Sequence, residues 1–156
     1  MVGQIAPNKH NKTVDTQAII NLPTGSLSLN ALYQVLNILP FEVTFADEND
    51  FIAYYSDNPQ RVNSRTVDLL GQPFLSLFNQ DEQEAISQIL RDLHQGAADH
   101  YEQWFPQNKQ TIYNNFYAVR DEDGTFLGTL QFTGDITRIQ GLRGIRTVFN
   151  AGKSDR

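Results

Sequence analysis

Few side chains in this chain could carry out covalent or metal chemistry. The sequence has no cysteine and three histidines, His10, His94 and His100. The lack of cysteine excludes disulfide bonds, thiolate metal sites and cysteine nucleophiles. His100 and Glu102 share one face of a predicted strand, but a zinc site typically has at least three protein ligands. We therefore interpret these two residues as polar side chains with cross-strand partners near a strand end, and we predict no metal site.

The acidic residues also lack the arrangement of a catalytic or calcium site. The segments DEND (47–50) and DEDG (121–124) are typical of hairpin turns and lack the bidentate glutamate of a calcium loop. No carboxylate pair is spaced for acid–base chemistry, and no GxSxG, P-loop or dinucleotide-binding motif occurs. We therefore predict no catalytic residue, and a small α+β hydrolase or isomerase is the third of three functional hypotheses.

The acidic balance of the chain limits its partners. The 156 residues carry a net charge of −6, which disfavours nucleic acid and anionic membrane surfaces because both attract a basic face. No apolar run reaches the length that spans a membrane, and the first residues contain no apolar signal core. We expect a cytoplasmic protein with a disordered leader over 1–18, one domain over 19–138 and an exit helix or tail over 139–156.

The first part of the domain is predicted to hold one helix and a strand hairpin. After a turn at 23–25, Ser28 can cap a helix, because its hydroxyl can accept a free backbone N–H. Apolar residues at helical spacing continue to Pro40, which ends the helix. Alternation over 41–46 predicts a strand, and the DEND turn joins it to a second strand over 51–56.

Helices are predicted next, followed by three strands. A short helix near 66–70 stops at Gly71, and a long helix capped by Asn79 or Asp81 closes at Gly96. The remaining strands are predicted at 100–105, 110–120 and 126–134. This order predicts an α+β fold, in which a five-stranded antiparallel sheet has its helices inserted between strands two and three and an N-terminal helix in front.

This order of elements, together with several short motifs, resembles a PAS domain. The end of the domain carries a D-x-x-G…G…D-I-T pattern at Asp121, Gly124, Gly128, Asp135, Ile136 and Thr137. Other motifs are closer to a bacterial branch often attached to hemerythrin-like domains, and they lie at Leu39-Pro40, 45–50, Arg61-Val62, Arg65-Thr66, 71–73 and Trp104. The resemblance covers about residues 20–140. It implies a PAS fold and a non-catalytic sensory or signalling role.

The resemblance does not identify a cofactor for this chain. The branch tends to carry a Cys-His-Pro-Pro segment where this chain reads FLSLFN over 74–79, and hemerythrin-type histidine clusters are absent. Flavin bound to cysteine and thioester chromophores are excluded, whereas non-covalently bound flavin stays open without positive support. Heme-binding PAS domains usually ligate iron from the long helix, but His94 lies at the flank of its apolar face, where the helix dipole accounts for it. Heme is therefore disfavoured, and the cofactor is unknown.

The resemblance also implies roles for the two faces of the sheet. The candidate ligand pocket consists of Thr44, Ala46, Trp104, Asn114, Phe116 and Gln131. The opposite face is expected to be covered by the N-terminal helix and a second copy in a homodimer, and it holds Phe45, Tyr113, Tyr117, Leu130 and Phe132. Aromatic rings mixed with amides suit a small, partly polar ligand. A filled core whose amides are satisfied internally is an equal alternative.

The same resemblance assigns the exit of the domain to Asp135 and Thr137. These two residues are expected to fix the start of an outgoing helix that transmits the signal. Gly141 and Gly144 each cost about 1 kcal/mol relative to alanine, so an apolar stripe over 136–149 predicts a marginal helix that needs a partner surface. The leading hypothesis is a PAS sensory module for an unknown small molecule or signalling partner. The second is a ligand-free PAS interaction module.

Overall fold

A five-stranded antiparallel sheet is the centre of the computed structural model, which describes residues 17–148. The elements in chain order are β1 (Ile19–Leu22), β2 (Gly25–Ser28), α1 (Leu29–Ile38), β3 (Glu42–Asp47), β4 (Ile52–Tyr55), two 3₁₀ turns (Val67–Leu69 and Phe74–Leu77), α2 (Gln83–Gln95), β5 (His100–Gln107), β6 (Gln110–Arg120), β7 (Phe126–Asp135) and α3 (Thr137–Gln140). The α+β fold predicted from the sequence is therefore confirmed.

The sheet places the last strand at its centre. Its order is β4-β3-β7-β6-β5, and all neighbouring strands are antiparallel. The 3₁₀ turns and α2 are inserted between β4 and β5, as the element order predicted. Because β7 pairs with β3 on one side and β6 on the other, it is hydrogen-bonded along both edges. A displacement of β7 would therefore disturb both halves of the sheet.

The N-terminal segment contains one element that the sequence did not predict. The turn at 23–25 joins β1 and β2, which form a separate two-stranded sheet. Strands of four residues show too little alternation to be recognised by pattern. The following cap is as predicted, because the Ser28 side chain accepts a hydrogen bond from the Ala31 N–H at 3.0 Å. Helix α1 ends at Ile38, just before Leu39-Pro40.

Helix α2 is the long helix of the prediction, but its predicted N-cap is wrong. Glu82 occupies the cap position without a side-chain cap hydrogen bond, and its carboxylate instead accepts from the Asn79 N–H at 3.0 Å. Neither Asn79 nor Asp81 caps the helix, because the residues before Gln83 form a turn. At the other end, Gly96 has φ 74°, the left-handed conformation that glycine adopts without a Cβ penalty.

The main core lies between α2 and one face of the sheet. The buried apolar side chains of this cluster are Ala46, Ile52, Phe74, Ile86, Leu90, Leu93 and Phe116. Each fully buried side chain of this type stabilises the fold by about 1.5–3 kcal/mol. We call the face that carries Ala46 and Phe116 the inner face, and the face that carries Phe45 and Phe132 the outer face.

The chain leaves the sheet through a very short helix. Helix α3 has four residues and ends at Gly141, and Gly144 has φ 68°. Ile139, Leu142 and Ile145 are exposed. Phe149, the last residue of the predicted stripe, and the predicted leader up to residue 16 lie outside the described residues. Within 17–148, no helix is long and apolar enough to cross a membrane.

Candidate functional site

Five of the six residues predicted for the pocket lie together on the inner face. Thr44 pairs with Gln131, and Gln131 pairs on its other side with Phe116, so these three side chains share one face. Ala46 and Asn114 belong to the same face by strand parity, and all five are buried. Their role in ligand binding remains a prediction.

Trp104 does not belong to this group, so its predicted placement is wrong. Its strand partner is Tyr113, which lies on the outer face, and its side chain is 63% exposed. The reason is the β5–β6 turn, in which Asn108 and Lys109 both have positive φ. This two-residue turn pairs Gln107 with Gln110 and thereby fixes every later pair in the hairpin.

A small amide network occupies the middle of the inner face. The Asn114 Oδ1 atom accepts hydrogen bonds from the Thr133 hydroxyl at 2.9 Å and from the Gln131 Nε2 atom at 3.2 Å. The Gln131 Oε1 atom and the Thr129 hydroxyl are buried, and neither has a hydrogen-bond partner among the described residues 17–148. Because a buried polar atom left unpaired costs about 1–3 kcal/mol, this network has unused capacity for a ligand.

A buried ion pair adjoins the network at the start of β3. Glu42 is buried, and its carboxylate accepts from the Val62 N–H at 2.6 Å and the Asn63 N–H at 3.0 Å. Arg61 lies 3.7 Å from this carboxylate. Its guanidinium also donates to the Ser56 carbonyl and to the Thr44 hydroxyl, the latter at 3.5 Å. Arg61 therefore ties the segment after β4 to the inner face.

A second guanidinium in this region is less well paired. The Nε atom of Arg65 is buried and has no hydrogen-bond partner, while one terminal nitrogen donates to the Ser64 carbonyl at 3.3 Å. Burial lowers the pKa of Arg65 most, the nearby Arg61 lowers it further, and Glu42 acts in the opposite direction. Burial is also the main cause of the lowered pKa of Arg61.

We refer to these side chains together as the inner polar cluster. Its members are Glu42, Thr44, Arg61, Arg65, Asn114, Gln131 and Thr133. Sequence reasoning missed the charged members. A signal existed for Glu42, because it shares strand parity with Thr44 and Ala46. No pattern indicated that Arg61 and Arg65 would be partly buried, since they lie in an irregular segment.

A surface groove opens beside the cluster at the end of the sheet. Its volume is about 600 Å³, within the range of small-molecule sites. It is lined by the end of α1, by residues 58–60 and 62, and by the beginning of the exit segment. Glu42 and Thr133 belong to both the groove and the cluster, while Asp135 and Arg138 connect the groove to the exit.

The exit corner is held by a compact set of hydrogen bonds. The Asp135 Oδ1 atom accepts from the Thr137 N–H at 2.9 Å and from the Thr137 hydroxyl at 2.5 Å. The Thr137 hydroxyl oxygen in turn accepts from the Thr111 N–H at 2.8 Å, and Gln110 donates to Asp135 Oδ2 at 2.7 Å. Hydrogen bonds from Thr137 lower the pKa of Asp135. The corner thus links β7 to β6 and to α3, while its predicted signalling role remains untested.

The outer face carries an aromatic surface. Its five predicted residues lie on one side of the sheet: Phe45, Tyr113, Tyr117, Leu130 and Phe132. The Phe132 ring lies 4.4 Å from that of Phe41 and 6.3 Å from that of Tyr113, measured between ring centroids. Tyr117 is 41% exposed and, with Trp104, leaves part of this face open to solvent. Asn115, also on this face, is buried.

His94 is engaged outside the inner polar cluster. Its Nε2 atom lies 2.9 Å from Asp50 Oδ1, and its ring lies 4.1 Å from that of Phe126. These contacts join the end of α2 to the β3–β4 turn and to β7. Across residues 17–148, no group of three or more His, Cys, Asp or Glu side chains could hold a metal ion.

Comparisons with known proteins agree with this geometry. A family model described as "PAS domain" matches residues 32–137. A C-terminal domain from Streptococcus mutans is similar to this chain, with 27% identity and a TM-score of 0.76 over 83% of this chain and 100% of that one. The PAS domain of a Colwellia psychrerythraea protein has 14% identity and a TM-score of 0.54 over 70% of this chain and 98% of that one.

The PAS domain of Bordetella pertussis BvgS shows a comparable likeness. It has 15% identity and a TM-score of 0.52, covering 70% of this chain and 86% of that one. At such low identity these two PAS structures indicate the shared fold alone. A search of curated proteins found no match to this chain.

Proposed function

This chain belongs to the PAS domain family, and from that premise we propose that it is a non-catalytic sensory module for a small ligand. The ligand would occupy the inner polar cluster and the adjoining groove. Its binding would be transmitted through β7 to the exit corner at Asp135 and Thr137. We include in this proposal the bacterial, cytoplasmic setting and the domain limits 19–138 expected from the sequence.

One observation carries this proposal. Strand β7 holds Gln131 and Thr133 in the cluster and Asp135 at the exit, all on one strand within five residues. Gln131 has a buried oxygen without a partner, whereas Asp135 holds the corner through Thr137. A ligand that donates a hydrogen bond to Gln131 would pull on the same strand that ends at the corner. The short, rigid connection favours direct transmission.

Homodimer formation is the second part of the proposal. The open part of the outer face presents Trp104 and Tyr117, and the groove side presents the exposed Ile38. Large aromatic side chains are enriched at protein interfaces because they bury much area with few rotatable bonds. A second copy covering the outer face would remove Trp104 from water.

Native mass spectrometry tests the sensory function. Protein freshly purified from the organism that encodes it should carry a stoichiometric small-molecule mass. The variant Gln131→Leu should lose that mass, because it replaces the amide, with its free oxygen and its donor to Asn114, by an apolar side chain of similar volume. The control Leu127→Ala changes an exposed residue of the same strand and should retain the mass.

Amide hydrogen exchange supplies the second readout of this test. Ligand binding should change the exchange rate of the Thr137 N–H, which reports the exit corner. The proposal fails if the wild-type protein carries no bound mass and Gln131→Leu leaves exchange at Thr137 unchanged.

A ligand-free interaction module is the alternative function. The exposed Trp104 and Tyr117 favour it, since an aromatic surface can bind a partner without any ligand inside the sheet. Under this alternative, substitutions on the outer face would abolish partner binding while Gln131→Leu would have no effect. Gln131→Leu and an outer-face variant such as Tyr117→Ala therefore separate the two functions.

A further inference from the structure

We propose that the ligand of the inner polar cluster is a small anion bearing a carboxylate or phosphate group, which Arg65 binds directly. This inference rests on the proposed function, because it names the chemical class for that same site. It is derived from the charges and contacts within the cluster. Both groups are oxyanions, planar in a carboxylate and tetrahedral in a phosphate, and their oxygen atoms can accept hydrogen bonds from the N–H groups of a guanidinium.

The cluster contains more positive than negative charge. Arg61 and Arg65 contribute two guanidinium groups, whereas Glu42 is the carboxylate that acts on both. Both Glu42 oxygens already accept hydrogen bonds from backbone N–H groups, and the carboxylate lies 3.7 Å from Arg61. The exposed Asp57 also acts on Arg61, but within residues 17–148 no carboxylate besides Glu42 acts on Arg65. Because a partly buried charge is stabilised by a partner of opposite sign, the charges of the cluster favour one more negative group.

The unpaired donor is at Arg65. Its Nε atom is buried without an acceptor, although arginine can present two parallel N–H groups to an oxyanion. Arg61 lies close enough to repel it, and Arg61 also contacts the Thr44 hydroxyl at 3.5 Å. An anion bound to Arg65 would therefore fill the unmet hydrogen bond and offset the repulsion between the two guanidinium groups.

The remaining free groups suit the rest of such a molecule. Thr44 pairs with Gln131 across β3 and β7, so Arg61, Thr44 and Gln131 form a continuous path. The free Gln131 Oε1 atom can accept a hydrogen bond from a hydroxyl or amine of the ligand. A small hydroxy- or amino-substituted acid, or a small phosphate ester, would bind Arg65 through its anionic group and Gln131 through its hydroxyl or amine.

The acidity of the whole chain makes the test specific. Because the net charge is −6, general electrostatics repels anions, and any anion that binds must use a local site. Thermal unfolding is measured with acetate, succinate and inorganic phosphate as probes, at an ionic strength held constant with sodium chloride. Acetamide and succinamide serve as uncharged analogues of the two carboxylates.

Four proteins are compared in this experiment. They are the wild type, Arg65→Gln, Arg138→Gln and Arg91→Gln. Arg138 lies in the groove, and Arg91 is exposed on α2, where its guanidinium donates to Gln88. Arg65→Gln keeps a polar side chain while removing the charge, and the loop contacts of Arg61 to Ser56 and Glu42 stay in place.

We expect the order of the unfolding temperatures of wild type and Arg65→Gln to differ between solutions without and with a binding anion. Without anions, Arg65→Gln should unfold at the same temperature as wild type or a higher one, because it removes an unpaired, repelled charge. With a binding anion, the wild-type midpoint should rise with the logarithm of anion concentration. The apparent affinity of Arg65→Gln should fall about tenfold or more, since it loses charge-assisted hydrogen bonds. Arg91→Gln should behave like wild type.

The choice of probe separates the sources of the anion. Stabilisation by acetate or succinate but not by their amides would identify a carboxylate ligand, whereas stabilisation by phosphate alone would identify a phosphate ligand. The inference is overturned if no anion stabilises wild type beyond sodium chloride. It is also overturned if Arg138→Gln, and not Arg65→Gln, removes the effect.

Failure of this inference can be distinguished from failure of the proposed function. A neutral molecule that co-purifies and depends on Gln131, together with no response to anions, would leave the sensory function intact and reject the anion. Absence of both a co-purified mass and an anion response would reject both.

Discussion

Arg120 connects three segments of the structure through a single side chain. Its guanidinium donates to the Leu93 carbonyl and to the His94 carbonyl at the end of α2, and also to the Gly124 carbonyl in the β6–β7 turn. It also lies over the Phe126 ring, 5.4 Å from its centroid. A cation at the C-terminus of a helix is favoured by the helix dipole. This residue therefore holds α2 against the sheet, next to the core.

We predict that Arg120→Ala lowers the free energy of unfolding by about 1–3 kcal/mol, because it leaves the helix carbonyls without their charged donor. Arg120→Lys should lose less, since it keeps the charge but not the planar set of donors. Urea denaturation measures these values. Arg91→Ala is the matched control, since the exposed Arg91 bonds to Gln88 on its own helix, and it should change stability by less than about 0.5 kcal/mol. Equal effects of the two alanine variants would contradict this role.

At the scale of elements, the exit corner is where β7 meets α3. A four-residue helix cannot maintain itself by its own hydrogen bonds. The hydrogen bonds of Asp135 and Thr137 therefore determine where the exit segment begins. The exposed Ile139 and Leu142 agree with the expectation that this segment is marginal without a partner surface. Whether such a surface comes from a second copy is part of the proposal.

We predict a pH dependence for this corner. Hydrogen bonds from Thr137 lower the pKa of Asp135 below its ordinary value of 3.8. The ionised form is favoured in the folded state, so the corner is stabilised above pH 3.8 and loses this contribution as the pH falls through the lowered pKa. NMR titration of the Asp135 carboxyl carbon and the Thr137 amide should follow this loss together.

The variant Thr137→Val provides the test of the cause. It should raise the pKa of Asp135 toward 3.8, because it removes the hydroxyl that donates to the carboxylate. Asp92 is the internal control, since its pKa is lowered mainly by the Tyr101 hydroxyl and should stay unchanged. An Asp135 that titrates identically in both proteins would show that the hydrogen bond does not hold the corner.

At the scale of the whole molecule, the outer face is the surface proposed to form the homodimer. Trp104 is the single tryptophan of the chain and is 63% exposed. Its fluorescence therefore reports directly on the surface proposed to be covered by a second copy. The inner face cannot contribute to this signal because it holds no tryptophan.

We predict that the emission maximum of Trp104 shifts to shorter wavelength as the protein concentration increases through the micromolar range. Sedimentation velocity should show dimer formation over the same range. Tyr117→Ala should weaken both changes, because it removes an exposed aromatic side chain of this face. Val67→Ala, a change at an exposed site in the 3₁₀ turn after β4, should leave them intact. A monomer at tens of micromolar with constant emission would contradict the homodimer.

The alternation and turn residues of the sequence were sufficient to predict most elements. The Ser28 cap, the stop at Gly96, the hairpin turns and the order of the strands along the chain all follow from local physical rules. They depend on hydrogen bonds and backbone angles within a few residues, so they can be predicted from the identities of neighbouring residues. The predictions failed for the short β1–β2 hairpin and for the α2 cap, where competing turn geometry is decided by small energy differences.

The sequence by itself therefore determined the fold class and which residues of each strand share a face. Only the tertiary structure decided which face each set occupies and what meets it there. Trp104 lies on the outer face, and not on the predicted inner face, because a two-residue turn fixes the register of its hairpin. Arg61 contacts Thr44 on the inner face, and Arg65 lies near Arg61 and Glu42, because an irregular segment folds over the sheet. Such contacts arise between distant parts of the chain, and their energies depend on burial and on charge pairing, which no local pattern records.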